Sequence, residues 1–195
     1  DKTNGLCYSF RSEILPFGQF KNNGDYIESD LFFEEKLKLS VGMSYSFNNR
    51  TSRVAGQLGE YLYNKQLADI HYYGVDFAMK RKGWSMTGEL YRRTSKNGIS
   101  INPNDPTKAN FVYSGTGFLL QSGYLYNPKN EFSLRYGLTS PDQRITAYVS
   151  RLNEYMVGYS HYFFRHNLKL QTDAAYFAGP SQEFLQWRFT GVVTF

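Results

Sequence analysis

Seven basic residues of this chain stand at alternate positions of apolar stretches, so that they share one side of each stretch. Four acidic residues, Glu13, Asp76, Glu89 and Asp173, occupy matching positions. If the apolar positions face lipid, these charges line a water-filled lumen whose wall is weakly positive and favours small anions. The alternative is that they pair across neighbouring strands and only keep the lumen hydrated. The anion-guiding candidates are Arg11, Lys38, Lys80, Arg93, Arg135, Lys169 and Arg188.

The histidines and the single cysteine form no catalytic or metal-binding pattern. Ser160 and His161 are adjacent, but neighbouring residues of a strand point to opposite faces, so they cannot hydrogen-bond within one strand. His166 falls in a predicted turn and His71 near a loop end. Cys7 has no second cysteine to pair with, and no spacing of His, Cys, Asp and Glu fits a metal site. The sequence therefore predicts no enzyme activity, no metal and no cofactor.

The residues that must position these charges are best seen in the last stretch, Phe184 to Phe195. Its alternate residues Leu185, Trp187 and Phe189 are apolar, whereas Gln186, Arg188 and Thr190 between them are polar. A strand presents such residues on opposite faces, and strands of about 9 to 11 residues cross a bilayer in outer-membrane barrels. The terminal aromatic residue also resembles the signal by which such barrels are assembled.

The same alternation recurs along the whole chain and predicts nine antiparallel strands of an all-β, up-and-down transmembrane barrel. Short turns at 81–83, 127–130 and 165–167 alternate with long loops at 48–68, 92–112 and 140–153. The stretch 17–35 is the exception, because it is long on the short-turn side; its acidic cluster is expected to be solvated. The predicted strands are Leu6–Pro16, Leu37–Phe47, Ile70–Lys80, Trp84–Tyr91, Phe118–Tyr126, Phe132–Thr139, Tyr155–Phe164, Leu168–Phe177 and Phe184–Phe195.

Composition agrees with a membrane barrel. The chain has 17 Tyr and 16 Phe among 195 residues, while its mean hydropathy is only -0.52. No run of about 18 apolar residues is present, which excludes a transmembrane helix. The formal charge of +5 is dispersed and does not indicate nucleic-acid binding. Most aromatic residues are expected in belts at the two membrane interfaces, with sugar stacking as the alternative; the belt candidates are Phe17, Tyr45, Phe47, Tyr124, Tyr126, Phe163, Trp187 and Phe195.

Strand parity adds a further expectation. Bacterial single-chain barrels have an even number of strands with both chain ends on one side, and nine strands do not satisfy this. Residues 1–195 are therefore predicted to be a single barrel segment, the C-terminal part of a larger barrel. Because the chain opens with DKTNG and no signal peptide, a mature chain or a fragment is expected.

The stretch from Pro16 to Asn48, with GDYIESDL and KLKLSVGMSYSFN, resembles the corresponding segment of the phosphate-selective porin O and P family. The stretches GQLG from Gly56, LQSGYLYNP from Leu120 and NLKLQTDAAY from Asn167 are similar to it as well. The resemblance implies the latter half of an outer-membrane porin of about 16 strands. Leu37 stands where the family often has proline. The family's arginine-rich constriction lies largely outside the matched half, so selectivity for phosphate is not implied.

Three functions are compatible with this sequence. The favoured one is an integral porin of a Gram-negative outer membrane that lets small hydrophilic solutes diffuse passively, with a mild preference for anions, phosphate among them. The second is a non-conducting structural or docking barrel of an envelope complex, and the third is a soluble β-barrel binding module. The expected partners are outer-membrane lipid and small anionic or neutral solutes; a homotrimer or other outer-membrane proteins are left open, as is whether the long loops fold inward.

Overall fold

The computed structural model describes residues 5–165 and 167–194, which form an antiparallel nine-stranded sheet and one separate hairpin. The order in the sheet is β1-β2-β3-β4-β7-β8-β9-β10-β11, and β5 pairs only with β6. In this part of the chain β1 and β11 are open edges, so the sheet is not closed into a barrel. The strands are β1 Cys7–Ile14, β2 Lys38–Thr51, β3 Ala68–Arg81, β4 Trp84–Lys96, β5 Ile99–Asn102, β6 Asp105–Phe111, β7 Gly115–Asn127, β8 Asn130–Pro141, β9 Leu152–Phe164, β10 Leu168–Gly179 and β11 Gln182–Val193.

All nine predicted strands are present in the sheet, and the all-β, antiparallel prediction is confirmed. Several strands continue beyond their predicted ends into the long loops; β2 reaches Thr51 and β4 reaches Lys96. The β5–β6 hairpin inside loop 92–112 was not predicted, because β5 has only four residues and the polar strand β6 carries no clear alternation. The predicted loop 140–153 contains a 3-10 turn at Gln143–Ile145.

The short turns and long loops lie at opposite ends of the sheet, here named the short-turn end and the long-loop end. At the short-turn end, β3 and β4 are joined by Lys82 and Gly83, both with positive φ. Two such residues form the tight hairpin turn whose twist matches that of paired strands, and glycine adopts this conformation without strain. The hairpin therefore sets the register of Arg81 opposite Trp84.

Burial in the sheet is the reverse of that in a soluble protein. On one face, the apolar face, Val75 is 53% and Phe189 is 71% exposed. On the other face, the polar face, Lys80 and Glu131 are only 2% and 5% exposed. None of Leu39, Val41 and Phe77 is buried either. A sheet that exposes its large apolar side chains needs an apolar surrounding to cover them.

At the long-loop end the connections fold over the polar face instead of extending away from it. Leu62 and Val112, from two different loops, pack on Ala68 and Ile70 at the start of β3, with Val54 against them. Gln66 also donates hydrogen bonds to the carbonyl oxygens of residues 97 and 99. The loops 48–68 and 92–112 thus form one packed layer. In the described residues no helix is long and apolar enough to cross a membrane.

Candidate functional site

The register of the sheet places all seven basic candidates on the polar face. Arg11 lies opposite Ser44, which lies opposite Gly74 and then Tyr91, and the same face continues through every strand of the sheet. The sequence interpretation of which residues share a side therefore agrees with the strand pairing. Whether these side chains guide anions is a separate question, which depends on what each of them contacts.

At the β1 edge the polar face carries an ion pair that links β1 to β3 across β2. The Arg11 guanidinium donates to both carboxylate oxygens of Asp76, at 2.6 and 2.9 Å, and lies 3.5 Å from Glu13. Gly42 lies between them on β2, and a Cβ there would stand 2.6 Å from Asp76 and 2.7 Å from Arg11. A Cβ at Gly42 would displace the ends of both side chains, so glycine gives this pair its room, and the pair ties the edge strand to β3.

A second charged network crosses β7 to β11. Arg135 donates to Gln121 at 2.8 Å and lies 3.8 Å from Glu154. Arg188 donates to Asp173 at 2.8 Å and lies 3.9 Å from the same Glu154 oxygen. The two arginines are thus joined through one shared carboxylate, so each cation of this network is paired with an acid on a neighbouring strand.

The remaining basic candidates differ in their surroundings. Lys38 donates to the carbonyl oxygen of Phe17 at 3.0 Å. Lys169 lies 5.9 Å from the ring centre of Tyr162, and the half-buried Arg93 approaches the carbonyl oxygen of residue 54 at 3.5 Å. Lys80 is buried and does not face an open lumen, which corrects its sequence assignment.

The charge balance of this face is closer to neutral than expected. Glu131 lies opposite Ser160, and Glu154 opposite Gly137, so both acids share the polar face. The face therefore carries the four predicted acids together with these two, against seven bases. Glu131 lies at a strand end and Glu154 at the border of a loop, so the alternation pattern included neither of them. The sequence therefore predicted too large a net positive charge on this face.

The largest feature of the polar face is the connection between β1 and β2, residues 15–37, here called the inward segment. It contains the 3-10 turns at Lys21–Tyr26 and folds onto the sheet at the short-turn end. Phe20, Ser29, Asp30 and Glu34 of this segment are buried. The expectation that its acidic cluster is solvated is therefore wrong for Asp30 and Glu34, because the sheet itself covers them.

Lys80 of β3 holds one side of the inward segment. Its ammonium group donates to the carbonyl oxygens of Gly24 at 2.6 Å and Ser29 at 2.8 Å, and also to that of Ile27. An ammonium group has three donors, and these three acceptors use all of them. A buried cation is tolerated when it is fully hydrogen-bonded in this way, so Lys80 fixes the path of the segment.

Glu131 of β8 and Tyr162 of β9 hold the other side. Ser29 Oγ and the Tyr162 hydroxyl both donate to the same Glu131 oxygen, at 2.6 and 2.5 Å, and the two hydroxyl oxygens are 2.6 Å apart. Ser29 thus contacts β3 through its carbonyl and β9 through its hydroxyl. The inward segment consequently crosses the polar face over five neighbouring strands, from β3 to β9.

Asp30 anchors the segment to the β3–β4 turn. Its carboxylate accepts from the backbone N–H of Gly83 at 2.8 Å and from that of Glu34 at 3.0 Å. The N–H of Lys82 donates in turn to the Glu34 carbonyl at 2.7 Å. Burial of the carboxyl group raises the pKa of Asp30, although these hydrogen bonds and Lys80 oppose the shift.

The raised pKa of Asp30 predicts that docking of the inward segment depends on pH. The docked state holds the Asp30 proton more tightly than the undocked state does. The contribution of Asp30 to the free energy of docking is therefore fully present below its ordinary pKa and is lost as pH rises through the raised pKa. We expect exchange protection of the Gly83 amide, corrected for the intrinsic rate, to fall over that range. Asp30→Asn should flatten the profile, whereas Glu28→Gln, on an exposed residue of the segment, should not. Identical profiles for the two variants would contradict this assignment.

The aromatic candidates of the strands lie on the apolar face at two heights. Near the long-loop end, Tyr45 lies 5.2 Å from Tyr73, and Phe47 stacks on Tyr8 and His71. The two levels are eight residues apart along β3, from Tyr73 to Arg81, which is about 26 Å at 3.3 Å per residue. Near the short-turn end, ring contacts join Tyr124 with Trp84, Tyr126 with Phe132, and Phe163 with His161.

Three belt candidates have different positions. Trp187 is on the apolar face of the edge strand β11 and is 73% exposed. Phe17 belongs to the inward segment and not to a strand, and it is exposed, so its place in an interface belt stays a prediction. Phe195 and His166 lie outside the described residues.

Sequence reasoning missed the residues that hold the inward segment. The only signal was the length of the connection 15–37 at the end where the other turns are short. Nothing in the local pattern marks Ser29, Glu131 and Tyr162 as partners, since they are more than 30 residues apart or lie at strand ends.

The Ser160 and His161 side chains lie on opposite faces as predicted. Ser160 accepts a hydrogen bond from Gln171 on the polar face, whereas His161 lies 2.7 Å from Asn130. Among the described residues, no three His, Cys, Asp or Glu side chains converge as metal ligands. Comparisons with protein-family models, with curated proteins and with solved structures gave no match.

Proposed function

We propose that this chain forms part of the wall of an outer-membrane porin of the phosphate-selective porin O and P kind, through which small hydrophilic solutes diffuse passively. The observation that carries the proposal is the reversed burial of the sheet, with exposed apolar side chains between two aromatic levels separated by about 26 Å of strand length. Outer-membrane barrels carry an outward apolar band about 25 Å tall between such aromatic girdles, and their strands are tilted by about 35–45°, so this length of strand spans about 20 Å of that height.

The open edges of the sheet support a larger barrel. Cys7–Ile14 has one neighbour in the described sheet, and so has Gln182–Val193. An unpaired edge leaves backbone N–H and C=O groups without partners, and lipid cannot supply them. We therefore place further strands between these two edges in the membrane, which agrees with the resemblance in sequence.

The direct test is planar-bilayer recording on the full-length protein. Stepwise conductance increases support the porin, while a chain that stays monodisperse without detergent and inserts no channels would contradict it.

The second candidate is a non-conducting barrel with a structural role, and a specific observation favours it: the polar face is covered by the inward segment at one end and by packed loops at the other. Insertion into bilayers without conductance would select that candidate.

The balanced charge of the polar face predicts weak ion selectivity. In a KCl gradient we expect a reversal potential near zero with a slight preference for anions. Arg188→Gln leaves Asp173 and Glu154 without this partner and should shift the permeability ratio towards cations by about twofold. Lys108→Gln, on the β5–β6 hairpin, is the control and should leave the ratio unchanged. Equal shifts for both variants would mean that Arg188 does not line the conduction path.

A further inference from the structure

The short-turn end of the sheet carries an uneven distribution of charge. Each of its three tight turns contains at least one exposed basic residue, and another precedes β2. We call this set the basic rim; it comprises Lys36, Arg81, Lys82, Lys129 and Arg165.

Acidic residues do not balance the basic rim. Asp30 and Glu34 of the inward segment are buried beneath the sheet end. Glu35 is exposed but lies 3.6 Å from Lys21 of the same segment. Of the segment's other acids, Glu28 accepts a hydrogen bond from Gln121 on the polar face, and Asp25 acts on the buried Lys80. The three tight turns, read from the sequence, contain no acid at all. The rim therefore presents a net positive surface outside the polar face.

The basic rim lies directly beside the aromatic level of the short-turn end. Arg81 stands opposite Trp84 in the β3–β4 register, and Trp84 stacks on Tyr124 at 4.4 Å. Lys129 sits in the turn that follows Tyr126, whose ring is 5.5 Å from Phe132. Aromatic side chains at such a level mark the height of lipid headgroups, so the cations lie where headgroup phosphates would be.

We propose that the basic rim binds the phosphate groups of anionic phospholipids in the leaflet at the short-turn end. This inference rests on the proposed membrane location. Long basic side chains extend along the apolar surface and place their charge among headgroups, and each adds to the affinity for an anionic surface. Arg81, Lys82 and Lys129 have no described acidic partner to compete with a phosphate.

The test compares retention of phosphatidylglycerol and phosphatidylcholine by the full chain in detergent, measured by native mass spectrometry. We expect preferential retention of phosphatidylglycerol, and a preference about tenfold lower in the variant with Lys82→Glu and Lys129→Glu. The matched control reverses two exposed cations at the long-loop end, Lys96→Glu and Lys108→Glu, and should keep the preference.

Salt supplies a measurement that needs no variant. Raising ammonium acetate from about 0.05 M to about 0.5 M should abolish the preference of the unaltered chain, because exposed charges are screened at that ionic strength. Equal retention of both lipids, or a preference that survives in the rim variant, overturns the basic rim while leaving the porin proposal standing. A chain that is monodisperse without detergent and retains neither lipid overturns the membrane location itself.

Discussion

Replacing Val75 with arginine is expected to destabilise the protein in a bilayer by about 1–2 kcal/mol, between the cost of about 2–4 kcal/mol for a cation at the midplane and about 0–1 kcal/mol near the interface. Val75 lies on the apolar face of β3, two residues from the aromatic level of Tyr73. Because its side chain is already more than half exposed, the same change in a water-soluble protein would alter the free energy of unfolding by less than about 0.5 kcal/mol. Urea unfolding in lipid vesicles measures the difference.

The control for Val75 is a basic substitution on the other face. Thr87 lies on the polar face of the neighbouring strand β4, opposite Ala78 and Gln121. Thr87→Arg places its charge in water and should cost much less than Val75→Arg. If the two variants lose equal stability, or if Val75→Arg is neutral, the apolar face does not meet lipid and the porin proposal fails with it.

Replacing Lys80 with methionine is expected to release the inward segment. Methionine fills a similar volume but leaves the carbonyl oxygens of Ile27 and Ser29 without their donor, whereas that of Gly24 keeps the N–H of Ile27. Buried acceptors without a partner cost about 1–3 kcal/mol each, so docking should weaken by at least about 2 kcal/mol. This corresponds to a rise of roughly thirtyfold in the undocked population, visible as faster proteolysis within residues 17–36. In bilayer recordings the unit conductance should rise.

Lys169→Met is the matched control for Lys80. Both lysines lie on the polar face, but Lys169 contacts the ring of Tyr162 and not the backbone of the inward segment. The two substitutions remove the same charge, so an effect of charge alone would appear in both. Faster proteolysis and higher conductance confined to Lys80→Met assign the constriction to the segment, while unchanged conductance in both would place the narrowest point elsewhere.

These expectations give the two faces of one sheet separate roles. In the proposed porin, the apolar face meets lipid, and the inward segment on the polar face narrows the pore in place of the strands. Asp30 and Lys80 lie at the border of these regions, where the β3–β4 turn meets the inward segment. Substitutions of Asp30 or Lys80 should therefore affect the opening of the proposed pore more than the stability of the sheet.

Sequence reasoning was most reliable where the structure is periodic. The alternation in Leu37–Phe47 predicted both the strand and its two faces, since successive strand residues must point to opposite sides. It was least reliable at strand ends, where Glu131 and Glu154 escaped the count of acids, and in the β5–β6 hairpin, whose polar residues show no period. The sequence indicated that charges could pair across neighbouring strands, but it did not identify pairs such as Arg188 with Asp173. The partner of each charge depends on the register of the strands.

The sequence by itself determined the nine strands of the large sheet, their direction changes and the division of their residues between an apolar and a polar face. These properties are local, because they follow from the two-residue period of a strand and from turn residues close to one another in the chain. Only the tertiary structure decided that Lys80 is buried, that Ser29 joins β3 to β9 and that the long loops fold inward. These contacts connect residues far apart in sequence, and they form only after the register and curvature of the sheet have brought those residues together.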